Sequence, residues 1–205
     1  MAHAMPAHTW HPERQLPVPR GTAHPDDETF FFSPTLTAFN YSSMDGLEDI
    51  FYLQDNKTTS WDSAVISNEI LSLVVEYNIT TILTFDSHGI TGHPNHQSAL
   101  AGVVHLISSS LPRSPSIIRP RLFALYSRPS TKHLGPLAAF VAPRYISSRG
   151  PFLVASLIDY VTALRSMSKH TSQLRMIPFL KGFFSRYLWV NEWVEVIVDA
   201  NYLLE

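Results

Sequence analysis

The chain contains no cysteine among its 205 residues, and only 16% of its residues are charged. The absence of cysteine excludes disulfides, thiolate zinc sites and cysteine nucleophiles, and it fits a reducing compartment. The formal net charge is −2 and no long basic run occurs, so nucleic acid is not an implied partner. No uninterrupted apolar run is long enough to cross a bilayer, and the polar start lacks the hydrophobic region of a signal peptide.

The hydrophobic content of 45% is enough for one globular domain with a substantial core. The polar, proline-rich residues 1–21 are predicted to form a flexible amino-terminal arm. Residues 22–205 are then a single domain, without internal repeats or low-complexity segments.

The densest group of charges is the segment Thr-Ala-His-Pro-Asp-Asp-Glu at residues 22–28. Because His24 and Asp27 are separated by two residues, a bend or a first helical turn can aim both at one point. A zinc ion binds imidazole nitrogen and carboxylate oxygen at about 2 Å, so this spacing suits a metal site. Asp26 must point elsewhere, where it can meet a metal-bound water. A helix-capping turn with stacked carboxylates explains the same residues, so this segment alone leaves both interpretations open.

A second segment, residues 86–96, repeats the same spacing around another proline. His93 and His96 flank Pro94, just after a strand-like run and a glycine-containing loop. Proline at the first helical position would place His93 at the cap and His96 one turn into the helix. A histidine pair at this spacing is not rare in a chain with 10 histidines. Two matched constellations, each expected where a strand leads into a helix, favour the metal hypothesis.

Hydrophobic periodicity predicts alternating helices and strands. The predicted helices are Phe30–Leu36, Trp61–Asn78, a helix from Pro94 that ends before Pro112, and Leu153–Met167, and the predicted strands are Ile50–Leu53, Ile79–Phe85 and Arg121–Tyr126. This alternation predicts the α/β class, with a Rossmann-like, mostly parallel sheet flanked by helices. Ligands of such sheets bind beyond the carboxyl ends of the strands, where both histidine segments are expected.

The segment from Leu174 to Trp193 mixes aromatic and basic residues. A helix of this composition can lie on a membrane surface, which would give the chain a peripheral membrane contact. We favour the alternative, an ordinary closing helix packed on the sheet.

With both histidine segments placed, the chain resembles the PIG-L/LmbE-like family of zinc-dependent de-N-acetylases. Residues 23–28 match the first signature of the family, and residues 84–96 match the second. Residues 168–173 and 184–187 are similar to the carboxyl-terminal pattern of its eukaryotic branch. The resemblance covers most of the chain from Thr22 onward.

The resemblance implies that His24, Asp27 and His96 bind one Zn²⁺ per chain and leave a position for water. Asp26 would be the general base, and His93 would stabilise the tetrahedral oxyanion together with the zinc. Whether Asp26 or His93 protonates the leaving amine stays open.

The roles of two further polar residues, Asp86 and His170, stay open. Asp86 would either hydrogen-bond a ligand imidazole or cap the glycine loop that follows it. His170 would either approach the site or lie on a helix surface, and we favour the surface.

The implied reaction is hydrolysis of the N-acetyl group of N-acetylglucosaminyl-phosphatidylinositol. Its products are glucosaminyl-phosphatidylinositol and acetate, and it is the second step of glycosylphosphatidylinositol anchor synthesis. The implied place is the cytoplasmic face of the endoplasmic reticulum, although the lack of a transmembrane run leaves a cytosolic or peripheral location open. A zinc peptidase is disfavoured because the chain has no His-Glu-x-x-His segment.

Departures from the family pattern predict a shortened sheet. A proline-rich segment replaces the hydrophobic strand expected before Ala23, and little chain lies between Leu36 and Asp45 to form the expected strand and helix. These departures keep two alternatives open, namely a catalytically silent homologue that only binds and a deacetylase of a soluble N-acetyl sugar.

Overall fold

The sheet that organises the chain is built from short strands separated by helices. The computed structural model describes residues 20–21, 27–38, 58–112, 114, 117–128, 132–140, 150–168 and 184–198. The strands in these ranges are β1 (Arg20–Gly21), β2 (Thr81–Phe85), β3 (Arg121–Leu125), β4 (Phe152–Val154) and β5 (Val190–Val196), in the spatial order β1-β2-β3-β5-β4. β1, β2 and β3 are parallel, whereas β5 is antiparallel to both β3 and β4.

Helices cover both faces of this sheet. They are α1 (Asp27–Phe31), α2 (Ser33–Ala38), α3 (Ser63–Glu76), α4 (Gly89–Gly92), α5 (Pro94–His105, continued by a π-helical turn over Leu106–Ser110), α6 (Leu157–Met167) and a 3-10 turn (Arg186–Leu188). α3 and α5 pack over the face that carries Ile82 and Leu122, while α2 packs over the face that carries Phe85 and Phe123. The predicted α/β class and shortened Rossmann-like architecture are therefore confirmed, and the sheet is mixed because β5 reverses direction.

The parallel strands end together at one edge, which we call the carboxyl edge. Gly21 lies opposite Thr84, and Phe85 lies opposite Leu125, so β1, β2 and β3 finish within about one residue of each other. β1 has only two residues and pairs with β2 alone among the described strands. The proline-rich sequence before it suits such an edge position, because proline cannot donate to a ladder.

The sequence pattern places α3 and β2 correctly. α3 begins after Asp62, whose carboxylate accepts a hydrogen bond from the Ala64 backbone N–H at 2.7 Å, as a helix N-cap should. Its apolar residues Ile66, Ile70 and Val74, each four positions apart, are buried. The buried strand predicted within residues 79–85 is β2.

One predicted helix begins later than expected. Leu153–Met167 was predicted to be helical, but Leu153 and Val154 belong to β4, and α6 begins at Leu157. Ser156 stops the helix from extending backward because it forms a capping box with Asp159, in which each side chain accepts from the other's backbone N–H.

The closing helix predicted across Leu174–Trp193 is wrong over its last residues. Val190–Val196 forms strand β5, whose residues pair with β3 from Leu122↔Val196 to Leu125↔Trp193. Trp193, the aromatic residue of this strand, packs into the core with Phe32 and Phe85. Residues 174–183 lie outside the described residues.

Several other predictions also fall outside the described residues. They are the amino-terminal arm up to residue 19, the strand Ile50–Leu53, and the placement of His170. Among the helices that the structure does describe, none has the length and hydropathy needed to span a bilayer.

The crossing of α3 and α5 depends on a residue without a side chain. A methyl group at Gly102 would overlap the Ile66 side chain. We therefore expect Gly102→Ala to lower the free energy of unfolding by about 1–3 kcal/mol, as overpacking does. At an exposed position inside a helix, the same change would raise the free energy of unfolding by about 1 kcal/mol. Urea denaturation measures the difference, with Ala101→Ser at the exposed neighbouring position as a control. A more stable Gly102→Ala protein would contradict the close crossing.

Candidate active site

The second histidine segment begins helix α5 at the carboxyl edge. His93 is the N-cap residue with extended backbone angles, Pro94 occupies the first turn, and His96 follows in that turn. This is the arrangement predicted from the proline spacing. His96 is completely buried, so its ring is enclosed by the protein rather than by solvent.

The neighbours that hold the His96 ring include Gly89, Phe85 and Phe31. Its Nδ1 lies 2.9 Å from the Gly89 carbonyl oxygen, and its plane stacks on Phe85 with 4.2 Å between centroids. The Phe31 ring approaches edge-on at 5.9 Å. Because a carbonyl oxygen can only accept, Nδ1 carries a proton and donates it to Gly89. In the neutral ring, Nε2 is then the atom with a free electron pair.

That nitrogen faces the carboxylate of Asp27, the first residue of α1. His96 Nε2 and Asp27 Oδ2 are 3.3 Å apart, with side-chain exposures of 0% and 5%. Two ligands at about 2.0–2.1 Å from a tetrahedral zinc ion are about 3.3 Å apart, so a shared cation fits this spacing. A protonated imidazole paired with the carboxylate fits it as well. For the neutral tautomer, two electron-rich atoms face each other, and a cation between them relieves that repulsion.

The structure therefore brings together two of the three predicted zinc ligands. His24, the third, and the predicted base Asp26 lie outside the described residues. Within the described part of the chain, no group of three or more histidine or carboxylate side chains forms a metal site. The His93 ring, predicted to stabilise the oxyanion, is 5.2 Å from the His96 ring between centroids.

The Asp86 carboxylate hydrogen-bonds the loop that follows it and Ser127, and not the His96 imidazole. Its Oδ1 accepts from the backbone N–H groups of His88 and Gly89, each at 3.0 Å. Ser127 donates its hydroxyl to Oδ1 and its backbone N–H to Oδ2, both at 2.6 Å. These bonds match the loop-capping alternative. Asp86 still supports His96 indirectly, because it orders the loop whose Gly89 carbonyl accepts the His96 proton.

Sequence reasoning missed Asn191, the residue that ties α1 and α2 to the sheet. Its Oδ1 accepts from the Thr35 hydroxyl at 2.7 Å, and its Nδ2 donates to the Phe31 carbonyl at 2.7 Å. The Thr35 hydroxyl in turn accepts from Trp193 Nε1 at 2.9 Å. All three side chains lie within the protein, and they hold the helix that begins at Asp27. The only sequence signal is one amide between Val190 and Glu192 at the start of a strand.

Tyr187 adds a second missed contact beside the site. Its ring meets Phe31 edge-on at 6.0 Å, and its hydroxyl accepts the Arg128 backbone N–H at 2.9 Å. Burial raises the pKa of the Tyr187 phenol, so the hydroxyl stays protonated at neutral pH. The Tyr187 side chain is therefore an uncharged residue that is held in place beside the site.

The left-handed backbone at Gly89 generates a paired prediction. An alanine Cβ at Gly89, where φ is +60°, would lie 2.7 Å from His96 Cβ, whereas one at Gly92, where φ is +78°, meets no described atom within 4 Å. Both alanine variants should lose about 1–2 kcal/mol of stability from backbone strain. Only Gly89→Ala should also displace the imidazole, and so weaken the Zn²⁺ binding that the family resemblance implies by about 10-fold or more. Zinc titration followed through the His96 ring resonances measures this, and equal affinities would contradict the contact.

The Asp86 bonds generate a further prediction. Asp86→Asn places an amide NH₂ among N–H and O–H donors, so we expect the free energy of unfolding to fall by about 1–3 kcal/mol. Asp62→Asn is the matched control, because asparagine caps a helix about as well as aspartate. Urea denaturation compares the two, and similar small losses would show that Asp86 does not need its charge.

Comparison with known proteins gives the chain several relatives. It is 27% identical over 207 aligned positions to the N-acetylglucosaminyl-phosphatidylinositol de-N-acetylase of Bos taurus, covering 83% of the chain and 79% of the bovine protein. It is 23% identical over 236 positions to the probable enzyme of the same name from Dictyostelium discoideum, covering 85% and 91% of the two chains.

The match to the probable enzyme of the same name from Schizosaccharomyces pombe is 27% identical over 125 positions. It spans 43% of the chain and half the length of that relative. No model of a protein family matches the chain. The resemblance predicted from the two histidine segments is nevertheless confirmed, because the relatives that the chain is similar to are named N-acetylglucosaminyl-phosphatidylinositol de-N-acetylase, a hydrolase.

Proposed function

We propose that the chain hydrolyses the N-acetyl group of N-acetylglucosaminyl-phosphatidylinositol with the help of one bound Zn²⁺. The observation that supports this most is the approach of His96 Nε2 to Asp27 Oδ2 at 3.3 Å, since these residues come from two segments 69 positions apart in the chain. The similarity to enzymes named for this substrate supports the reaction class.

The proposed zinc ligands are His24, Asp27 and His96. When bound, the ion lowers the pKa of a coordinated water and polarises the substrate carbonyl. The protein's part is to hold the ligands: His96 is fixed by Gly89 and by the Phe85 ring, and Asp27 is fixed by the start of α1. A rigid ligand set of this kind leaves little reorganisation for the reaction itself.

Two residues would manage protons and charge. Asp26 takes the proton from the attacking water, and His93, at the cap of α5, donates a hydrogen bond to the oxyanion that forms on the acetyl carbonyl. The carbonyl carbon gains a C–O bond and loses its C–N bond, and the amine nitrogen receives a proton from Asp26 or His93. Acetate and a free glucosamine amine leave the site.

The proposed substrate also suggests a place in the cell. Removal of this acetyl group is the second step of glycosylphosphatidylinositol anchor synthesis, which would bring the chain to the cytoplasmic face of the endoplasmic reticulum. Contact with the membrane would then be peripheral for the described part of the chain, in which no helix could span a bilayer.

The test is acetate release from the glycolipid by the purified, zinc-loaded chain. His96→Ala removes a buried proposed ligand, so we expect the rate to fall by more than the roughly 10–100-fold that loss of an outer partner costs. Zinc content measured on the same sample should fall as well. His88→Ala is the matched control, because that imidazole is 75% exposed and should leave both quantities unchanged.

The outcomes separate the alternatives. Normal turnover by His96→Ala would overturn the proposed site. Zinc bound without turnover by the unaltered chain would favour a silent homologue. Turnover of free N-acetylglucosamine but not of the glycolipid would favour a deacetylase of soluble sugars.

A further inference from the structure

A buried carboxylate holds two arginines at the carboxyl edge of the sheet. Glu192 Oε1 accepts from Arg186 Nη2 at 2.9 Å, and its Oε2 accepts from Arg128 Nε at 2.8 Å. The side chains of Glu192 and Arg186 are 8% and 4% exposed, whereas that of Arg128 is 33% exposed. The three residues therefore fix one guanidinium that still reaches the surface.

Arg128 is held from three directions. Besides the bond to Glu192, its guanidinium carbon lies 4.9 Å from the centre of the Tyr126 ring. Its backbone N–H is bound by the Tyr187 hydroxyl at 2.9 Å. Nε is the only side-chain atom of Arg128 that donates to a described residue. An arginine fixed in this way needs to lose little conformational freedom when it binds a ligand.

An arginine on strand β3 shows the contrast. Arg121, at the opposite end of β3, donates from Nε and Nη2 to the two carboxylate oxygens of Glu195 at 2.7 and 2.9 Å. This bidentate pair engages the Nε and Nη2 edge of Arg121 with both oxygens of one carboxylate. The hydrogen bonds to Glu195 raise the pKa of Arg121, and those from Arg121 lower the pKa of Glu195. Both shifts are expected when two opposite charges bind each other.

Arg128 is also close to the candidate active site. It follows Ser127, which donates twice to the Asp86 carboxylate of the loop beneath His96. On the other side, the Tyr187 hydroxyl that binds its backbone belongs to the ring that contacts Phe31. Two side chains, Tyr187 and Phe31, therefore connect the backbone of Arg128 to the His96 ring.

We propose that the Nη edge of Arg128 binds the phosphodiester of the substrate while the acetamide occupies the site beside His96. This inference rests on the proposed function and extends it to substrate specificity. A phosphodiester monoanion offers two free oxygens, which match the fork geometry of a guanidinium in a bidentate contact. Arg128 is then a specificity-determining residue, and Arg186 and Glu192 position it.

Steady-state kinetics with two substrates test this. For Arg128→Gln we expect kcat/KM to fall about 10- to 100-fold with N-acetylglucosaminyl-phosphatidylinositol, mainly through KM, since a charged hydrogen bond to the substrate is lost. With a neutral N-acetylglucosaminide it should stay within about 2-fold of the unaltered chain. Arg128→Lys keeps the charge but not the guanidinium fork. Its kcat/KM with the glycolipid should lie between the values for the unaltered chain and for Arg128→Gln. Arg121→Gln is the matched control and should change neither rate.

A binding measurement keeps the inference testable if turnover fails. The probe is glycerophosphoinositol, a water-soluble phosphodiester, titrated calorimetrically into the full chain. We expect Arg128→Gln to bind it at least about 10-fold more weakly than Arg121→Gln does. Equal binding by the two variants, or an equal loss of rate on both substrates in Arg128→Gln, would overturn the role of Arg128. A lack of turnover with Arg128-dependent binding would instead count against the proposed function alone.

Discussion

The hydrogen bond from His96 Nδ1 to the Gly89 carbonyl is the constraint on which the candidate site depends. It assigns the proton of a buried ring, so the opposite nitrogen is the one that meets Asp27 at 3.3 Å. The bond exists because Gly89 adopts a left-handed backbone conformation that turns its carbonyl toward α5, and because Asp86 holds the same loop through its amides. Without this arrangement, the imidazole could rotate or change tautomer. The nitrogen that faces Asp27 would then no longer be held unprotonated.

A long-range polar contact supplies the other half of the site. Asn191, on the antiparallel strand β5, is bonded to Thr35 and to the Phe31 carbonyl, and so anchors the two short helices that begin at Asp27. α1 and α2 have five and six residues, which is too short for helices to be stable by themselves. Their stability must come from packing on the sheet and from this buried amide.

The reversal of β5 also shapes the surface next to the site. Because β5 runs antiparallel to β3, its first residues lie at the edge where β3 ends, and Glu192 meets the loop that carries Arg128. A parallel strand in this place would have brought its last residues to that edge instead. The same reversal places Tyr187 against Phe31. The direction of β5 therefore positions both the uncharged Tyr187 ring and the cluster of Arg128, Arg186 and Glu192.

The sequence alone determined the α/β class, the start of α5 at Pro94 and the buried strand β2. These follow from local patterns, namely hydrophobic period and proline position, which act over a few residues. The expectation that Asp27 and His96 share one ion came from the family resemblance. The sequence did not determine that residues 190–196 form a strand, that Leu153 precedes α6, or that Asn191 and Arg128 lie beside the site. Those features depend on contacts between residues far apart in the chain, such as the bond between Thr35 and Asn191 across 156 positions. Only the folded chain brings such residues together, because side-chain pairing across a sheet leaves no periodic signal in the sequence of either partner.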